Sequence, residues 1–400
     1  ERARAVSSRL QPVRPPDDAQ AAELLVELRQ TVDSLHSAAR DAAALAPLLR
    51  RRRELEQAIT ARRWTLGGKG PARRIARLEE IRSELASPDA AMLVFVQAGA
   101  ALHAVVVDRG RVQVHELGSA ASVVEQVRRA RADLDVLAQS RLPAALAGAV
   151  RASFERSAAE LDRSLLAPLR VDGRRLIVVS TGVLGQLPWG TLPSLRGVPV
   201  VVAPSATAWL SARQRPRRRG RREVVAVAGP DLTRAEYEVR GVADAWAGAP
   251  THIGSAADRR TLASAMSRGT VVHVAAHGTH QTENPLFSSL RLVDGPMFAH
   301  ELDQTARTPE HVVLSACELG LATVRPGDEA LGLTSVLLHL GTSSVVAGVA
   351  RVGDDLAAET MIDYHARLAA GADSAEALAA ATEHSGVPFV SFGASWRKAR

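Results

Sequence analysis

The spacing of apolar and polar positions changes character twice along the chain. Between 18 and 63, Ala, Leu and Val recur every three or four residues in DAQAAELLVELRQTVDSLHSAARDAAALAPLL, which predicts helix, with Asp17 or Asp18 at its start. A Gly-rich break, LGGKGP (66–71), leads to a second helical stretch, PARRIARLEEIRSELA (71–86). From 92 the period shortens. MLVFVQAG (92–99), LHAVVVDRG (102–110) and RVQVHEL (111–117) predict strands, with DRG as a hairpin turn. Residues 120–168 return to a helical pattern.

From 174 onward, short β-branched runs alternate with helical stretches. The runs are RRLIVVSTG (174–182), VPVVVAPS (198–205), REVVAVAGP (222–230), TVVHVAAHG (270–278), HVVLSAC (311–317) and SSVVAGVARV (343–352). Helices are predicted at 234–247, 258–268 (with Ser255 or Asp258 as cap), 328–340, 355–370 and 373–384. Continuous apolar strands between helices predict an α/β fold, with a mostly parallel sheet covered by helices on both faces. Three units are expected: a helical region over 1–88, a strand-hairpin and helix segment over 89–173, and an α/β domain over 174–400. No internal repeat is visible in the helical region, whose helices are expected to pack on one another or to continue a helical repeat array upstream.

Composition narrows the function classes. The net charge is +7, and RQRPRRRGRR (213–222) alone supplies seven arginines without an acid. Lysine occurs only at 69 and 398, so the basicity follows an Arg-rich, Lys-poor coding bias and is weak evidence for a polyanion partner. Aromatic residues make up 3%, too few for a base-stacking surface, and nucleic acid is not an expected partner. No apolar stretch reaches the roughly 18 residues needed to cross a membrane. A single cysteine excludes an internal disulfide framework and fits a reducing, cytoplasmic compartment. The first residues show no apolar signal segment and no initiator Met, and the chain is read as a piece of a longer protein.

The candidate chemistry lies at two strand ends. His277 closes TVVHVAAHG just before Gly278, and the lone cysteine, Cys317, closes HVVLSAC 40 residues later. Sites in parallel sheets form at the carboxyl ends of strands, where both residues fall. A thiolate is a usable nucleophile near neutral pH, and a nearby imidazole can lower the thiol pKa or protonate a departing amine. Taken singly, each residue has a plainer reading: Cys317 as a packed core thiol, His277 as a structural strand cap. His273, inside its strand, reads as packed, and His280 and His300 as loop residues. No paired Cys or HExxH spacing accompanies them, so neither metal nor cofactor is expected.

Four ordered segments carry a family resemblance. RLIVVSTGVLGQLPWGTLPSL (175–195), VVHVAAHGTHQTENPLFSSLRLVDGPM (271–297), VVLSACELGLATVRPGDEALGLTSVLLHLGTSSVVAGVARVGDD (312–355) and PFVSFGAS (388–395) together resemble a CHAT domain, a branch of the caspase and separase superfamily. The resemblance implies a caspase-like fold and a cysteine endopeptidase. Cys317 matches the nucleophile and His277 the catalytic histidine. The backbone N–H groups of Gly278 and Cys317 match the oxyanion hole. The 40-residue interval is close to the roughly 50 of caspases.

The family's Trp-Pro-Val-x-Asp pattern after the next strand reads here Ala350, Arg351, Val352, Gly353, Asp354, without the Trp and Pro. Asp354 still resembles the acid that receives a basic P1 side chain, while its position also suits a helix start. Asp328 and Glu329 are alternative pocket acids, or charges favouring the start of the 328–340 helix. The resemblance implies a protein substrate, with the N-terminal helical region as a site for a protein partner, in a regulated bacterial signalling or defence system. A catalytically silent scaffold is the other reading, since fold alone does not decide activity.

Overall fold

A computed structural model describes residues 19–37, 42–64, 74–85, 89–108, 110–139, 142–180, 182–216, 223–281, 287–304, 308–315, 323–325 and 329–398. Asp17 and Asp18, the expected helix caps, lie outside them. The chain begins with helices α1 (Ala19–Ser37), α2 (Ala42–Trp64) and α3 (Leu78–Glu84). Strands β1 (Ala90–Ala98), β2 (Ala101–Val107) and β3 (Val112–Ser119) follow, then α4 (Ala120–Leu137) and α5 (Ala144–Leu165). Next come β4 (Arg175–Val179), β5 (Val200–Ala203), α6 (Ala206–Arg213), β6 (Val224–Ala228), α7 (Ala235–Ala245), β7 (Thr251–His252) and α8 (Arg259–Arg268). The strand before the histidine is β8 (Val271–Ala275), followed by β9 (Gly278–Thr279), β10 (Ser289–Leu292) and β11 (Gly295–Phe298). The chain continues through β12 (His311–Ser315), β13 (Thr323–Arg325), β14 (Glu329–Leu331), α9 (Leu333–Leu340) and β15 (Ser344–Gly348). It ends with α10 (Asp354–Ala369), α11 (Ser374–Thr382) and β16 (Phe389–Gly393).

Among the described residues, eleven strands form one sheet in the order β3-β2-β1-β4-β5-β16-β15-β12-β8-β6-β7. The sheet is mostly parallel, but in two halves of opposite direction. β1, β4, β5 and β16 pair in parallel, as do β15, β12, β8, β6 and β7. The two halves meet at the antiparallel pair β15–β16. The strands of 89–119 belong to the same sheet, because β1 runs alongside β4.

Both faces carry helices, as the alternation predicts. One face of β8 and β12 (Val272, Val274, Val312, Leu314) belongs to one apolar cluster with α4, α5, α8 and α9. The opposite face carries Val271 and Val313 against α10 and α11, and Ala226 and Ala275 against α7. α3 and α6 cover the same side of the first half through Ile81, Trp209 and Leu210. Trp189, expected as a packing anchor, is 1% exposed, lies 5.4 Å from the Phe95 ring and donates its indole N–H to Leu184 O.

Helix starts follow local side-chain chemistry. Ser119, Ser205 and Asp258 each accept a backbone N–H of the first turn, and Asp373 forms a capping box with Glu376. One boundary differs from expectation. The helix predicted over 328–340 begins at Leu333, because Glu329–Leu331 pairs with Thr323–Arg325 as a short antiparallel ribbon. Glu329 therefore does not sit in the first helical turn.

The parallel half buries neutral histidines. His311 is fully buried and stacks on Trp396 at 9°. It lies 3.2 Å from Ser344 O through Nδ1 and 2.8 Å from the Tyr364 hydroxyl through Nε2. Burial holds its pKa down to about 3, and pushes that of His365 well below 6.5. In the unfolded chain both titrate near 6.5, so stability is complete above that pH and is lost as pH falls from 6.5 toward 3. We expect each to contribute about 1 kcal/mol of lost stability per pH unit, read as a lower urea midpoint at pH 5 than at pH 7. A midpoint that does not move would contradict this.

Candidate active site

The site is built where β8 and β12 end side by side. Ala275 and Ser315 are register partners on these adjacent parallel strands. His277 stands two residues beyond Ala275, and in sequence Cys317 stands two residues beyond Ser315. Cys317 and Asp328 lie outside the described residues, as does the side chain of Glu329. Neighbouring strands are about 4.8 Å apart, so the two exits leave the sheet next to each other.

His277 is exposed, and its Nε2 lies 3.1 Å from the carbonyl oxygen of Asp231. A carbonyl only accepts, so Nε2 carries the proton and Nδ1 is left as the basic nitrogen. Asp231 holds that carbonyl in a left-handed backbone conformation, φ 65°. Its carboxylate pairs with Arg291 at 3.1 Å, and the Arg291 backbone N–H returns to His277 O at 2.9 Å. The imidazole is thus tied to the Asp231 loop, and the His277 backbone to β10.

The same hydrogen bond orients Gly278. Residues 277 and 291 face each other as a hydrogen-bonded pair, so Gly278, opposite Leu290, takes the non-hydrogen-bonded position. Its N–H points away from β10, on the outer side of β9, the edge strand of the order β11-β10-β9.

A narrow cavity collects His277, Ser315, Asp354 and Glu238, with Leu232, Arg234 and Phe389 among its other walls. Asp354 is the first residue of α10 and Gly353 is the N-cap, so Asp354 opens the helix without being its cap. Arg234 is engaged by Asp355 at 2.6 Å and stacks on Tyr237, which leaves the carboxylates of Asp354 and Glu238 to set the sign of the cavity. Glu238 was not among the acids expected from the sequence. Its signal is its place in the apolar stripe of α7, level with Ala235, Val239 and Val242, where an acid is out of pattern. His273 is packed against this same face, fully buried, and burial lowers the pKa of His280, beyond β9, to about 4.

The support behind His277 leaves no spare room. A Cβ on Gly229 would come within 2.6 Å of the Ala276 Cβ and 2.8 Å of Arg291 O. Gly229→Ala is therefore expected to displace the His277 strand end and destabilise the fold by about 1–3 kcal/mol. The check is chemical denaturation against wild type. An unchanged midpoint would show that the strand end yields freely.

The N-terminal helices reach the site's neighbourhood. Leu28, Val32, Leu55 and Ile59 pack on Phe287 and Phe298, beside and within the three-stranded sheet that also contains Gly278. Arg29 adds an ion pair to Glu301 at 2.7 Å.

The fold is similar to that of separase. Two crystal structures of the Saccharomyces cerevisiae separase–securin complex, at 2.6 and 3.0 Å resolution, match with TM-scores of 0.57 and 0.56 at 9% identity. Each match covers 80% of this chain and 31% of the separase chain, so this chain spans about a third of the length of those relatives. Comparison with curated protein sequences finds no match. Among the described residues, no helix is long and apolar enough to cross a membrane. The family model of the CHAT domain matches residues 155–384, more than half of the sequence, and the chain belongs to the CHAT domain family.

Proposed function

We propose that this protein is a cysteine endopeptidase that cleaves a protein substrate after a basic residue, with Cys317 as nucleophile and His277 as general base and acid. The observation that carries this reading is the matched register of β8 and β12, with the His277 imidazole held through Nε2 and its Nδ1 available. His277 takes the thiol proton, and the thiolate attacks the scissile carbonyl. The Gly278 and Cys317 N–H groups stabilise the oxyanion, and the imidazolium then protonates the departing amine. Water completes the cycle by hydrolysing the acyl-enzyme. Asp354 contributes negative charge to the cavity beside the dyad, which suits a basic P1 side chain. The separase neighbours are complexes with a protein, securin, which fits a protein substrate or regulator here. A regulated bacterial signalling or defence role is part of the same proposal.

The test is labelling with a thiol-reactive peptidyl probe that carries Arg at P1. Labelling is expected at Cys317, lost in Cys317→Ala and strongly reduced in His277→Ala. A protein that binds its partner yet is labelled under no condition would favour the scaffold reading.

A further inference from the structure

We infer that Glu238 is a second specificity-determining acid of this site, a buried carboxylate that selects a cationic substrate side chain and lies at the end of a chain of ring donors. The inference rests on the peptidase reading for its substrate, but on separate observations for the residue. Glu238, on α7, lines the cavity that contains His277 and Asp354, and is 4% exposed. A carboxylate this buried is costly unless a cation or donors compensate it. Its Oε1 has no well-aligned hydrogen-bond donor among the described residues.

What lies behind Glu238 can be traced from one end. The indole N–H of Trp246 only donates, and it meets His365 Nδ1 at 3.0 Å. His365 must then carry its proton on Nε2, which points to His273 Nδ1 at 3.1 Å. His273 in turn carries its proton on Nε2, 3.0 Å from Glu238 Oε1. Each neutral ring thus passes its donor end toward the carboxylate. His273 and His365 are fully buried in the same core face. The last approach places a partial positive charge beside Oε1 without a linear hydrogen bond, and supplies no full countercharge.

The missing countercharge is what a substrate guanidinium or ammonium would bring. Asp354, exposed at the start of α10, sits at the outer part of the same cavity, so the two acids differ in environment. The buried one is less screened by solvent and carries more of the discrimination between a cation and its neutral isostere.

The test compares binding of N-acetylarginine amide with its neutral citrulline counterpart, followed by NMR titration of the wild-type chain, Glu238→Gln and Asp354→Asn. The wild type is expected to prefer arginine, Asp354→Asn to keep at least a tenfold preference, and Glu238→Gln to lose it. Retention of the preference by folded Glu238→Gln overturns the inference, as does its complete loss in Asp354→Asn, which also decides the matter should Glu238→Gln fail to fold. Absence of any preference in the wild type overturns it too. Because the readout is binding, a protein that selects arginine but is never labelled at Cys317 would refute the peptidase reading and leave this assignment standing.

Discussion

His277→Ala is expected to lower kcat/KM toward a peptide with a basic P1 residue by about 10²–10⁴-fold, the range of a positioned general acid–base group. Folding should be untouched. The side chain is exposed, and among the described residues its polar contact is to Asp231 O. The loss should fall mainly on kcat, because proton transfer matters in the transition state more than in ground-state binding. The rate limb that reports the base should vanish from the pH profile as well. Steady-state kinetics from pH 5 to 9, with melting temperatures in parallel, would check this. A variant that retains a tenth of wild-type activity would exclude His277 as the general base. A variant that loses activity together with its melting transition would show a structural role instead.

Gly393→Ala is expected to have the largest effect on stability, about 3 kcal/mol or more. Gly393 ends β16, the strand that joins the two opposed halves of the sheet. Its φ is 90°, outside what an L side chain readily adopts. A Cβ there would also stand 2.5 Å from Ser343 O and 2.6 Å from the Leu338 Cδ2. Leu338 can shift, but the Ser343 carbonyl cannot shift freely, because it accepts the Ala394 N–H at 2.8 Å. Strain and overlap thus act on the same residue, at the seam between the halves. Chemical denaturation of the variant against wild type gives the difference directly. A shift below 1 kcal/mol would mean that β16 relaxes locally and that the seam does not depend on this close approach.

Much of this architecture is legible from residue order. The β-branched runs ending at His277 and Cys317 are strands of the central sheet, or lead out of one, because side chains buried on both faces leave an unbroken apolar signature. The Asp258 cap and the start of α8 are equally local. Less legible are the short strands β9, β10 and β11, two to four residues long, whose pairing comes from distant segments and leaves almost no pattern. The 328–340 region shows the same limit. The acids at 328 and 329 suit a helix start, but ribbon pairing across β13 and β14 overrides that local preference.

By itself, then, the sequence determined the α/β class, the family, and the pair of reactive residue types at two strand ends, because periodicity and short motifs are local properties. The tertiary structure alone decided the rest. It turned the sheet into two opposed halves, bound the His277 Nε2 to the Asp231 carbonyl, and brought Glu238, His273, His365 and Trp246 into one line. Those four residues come from three elements and the end of α7, up to 127 positions apart. No spacing rule connects them, because hydrogen bonds between packed elements depend on three-dimensional approach and not on separation along the chain.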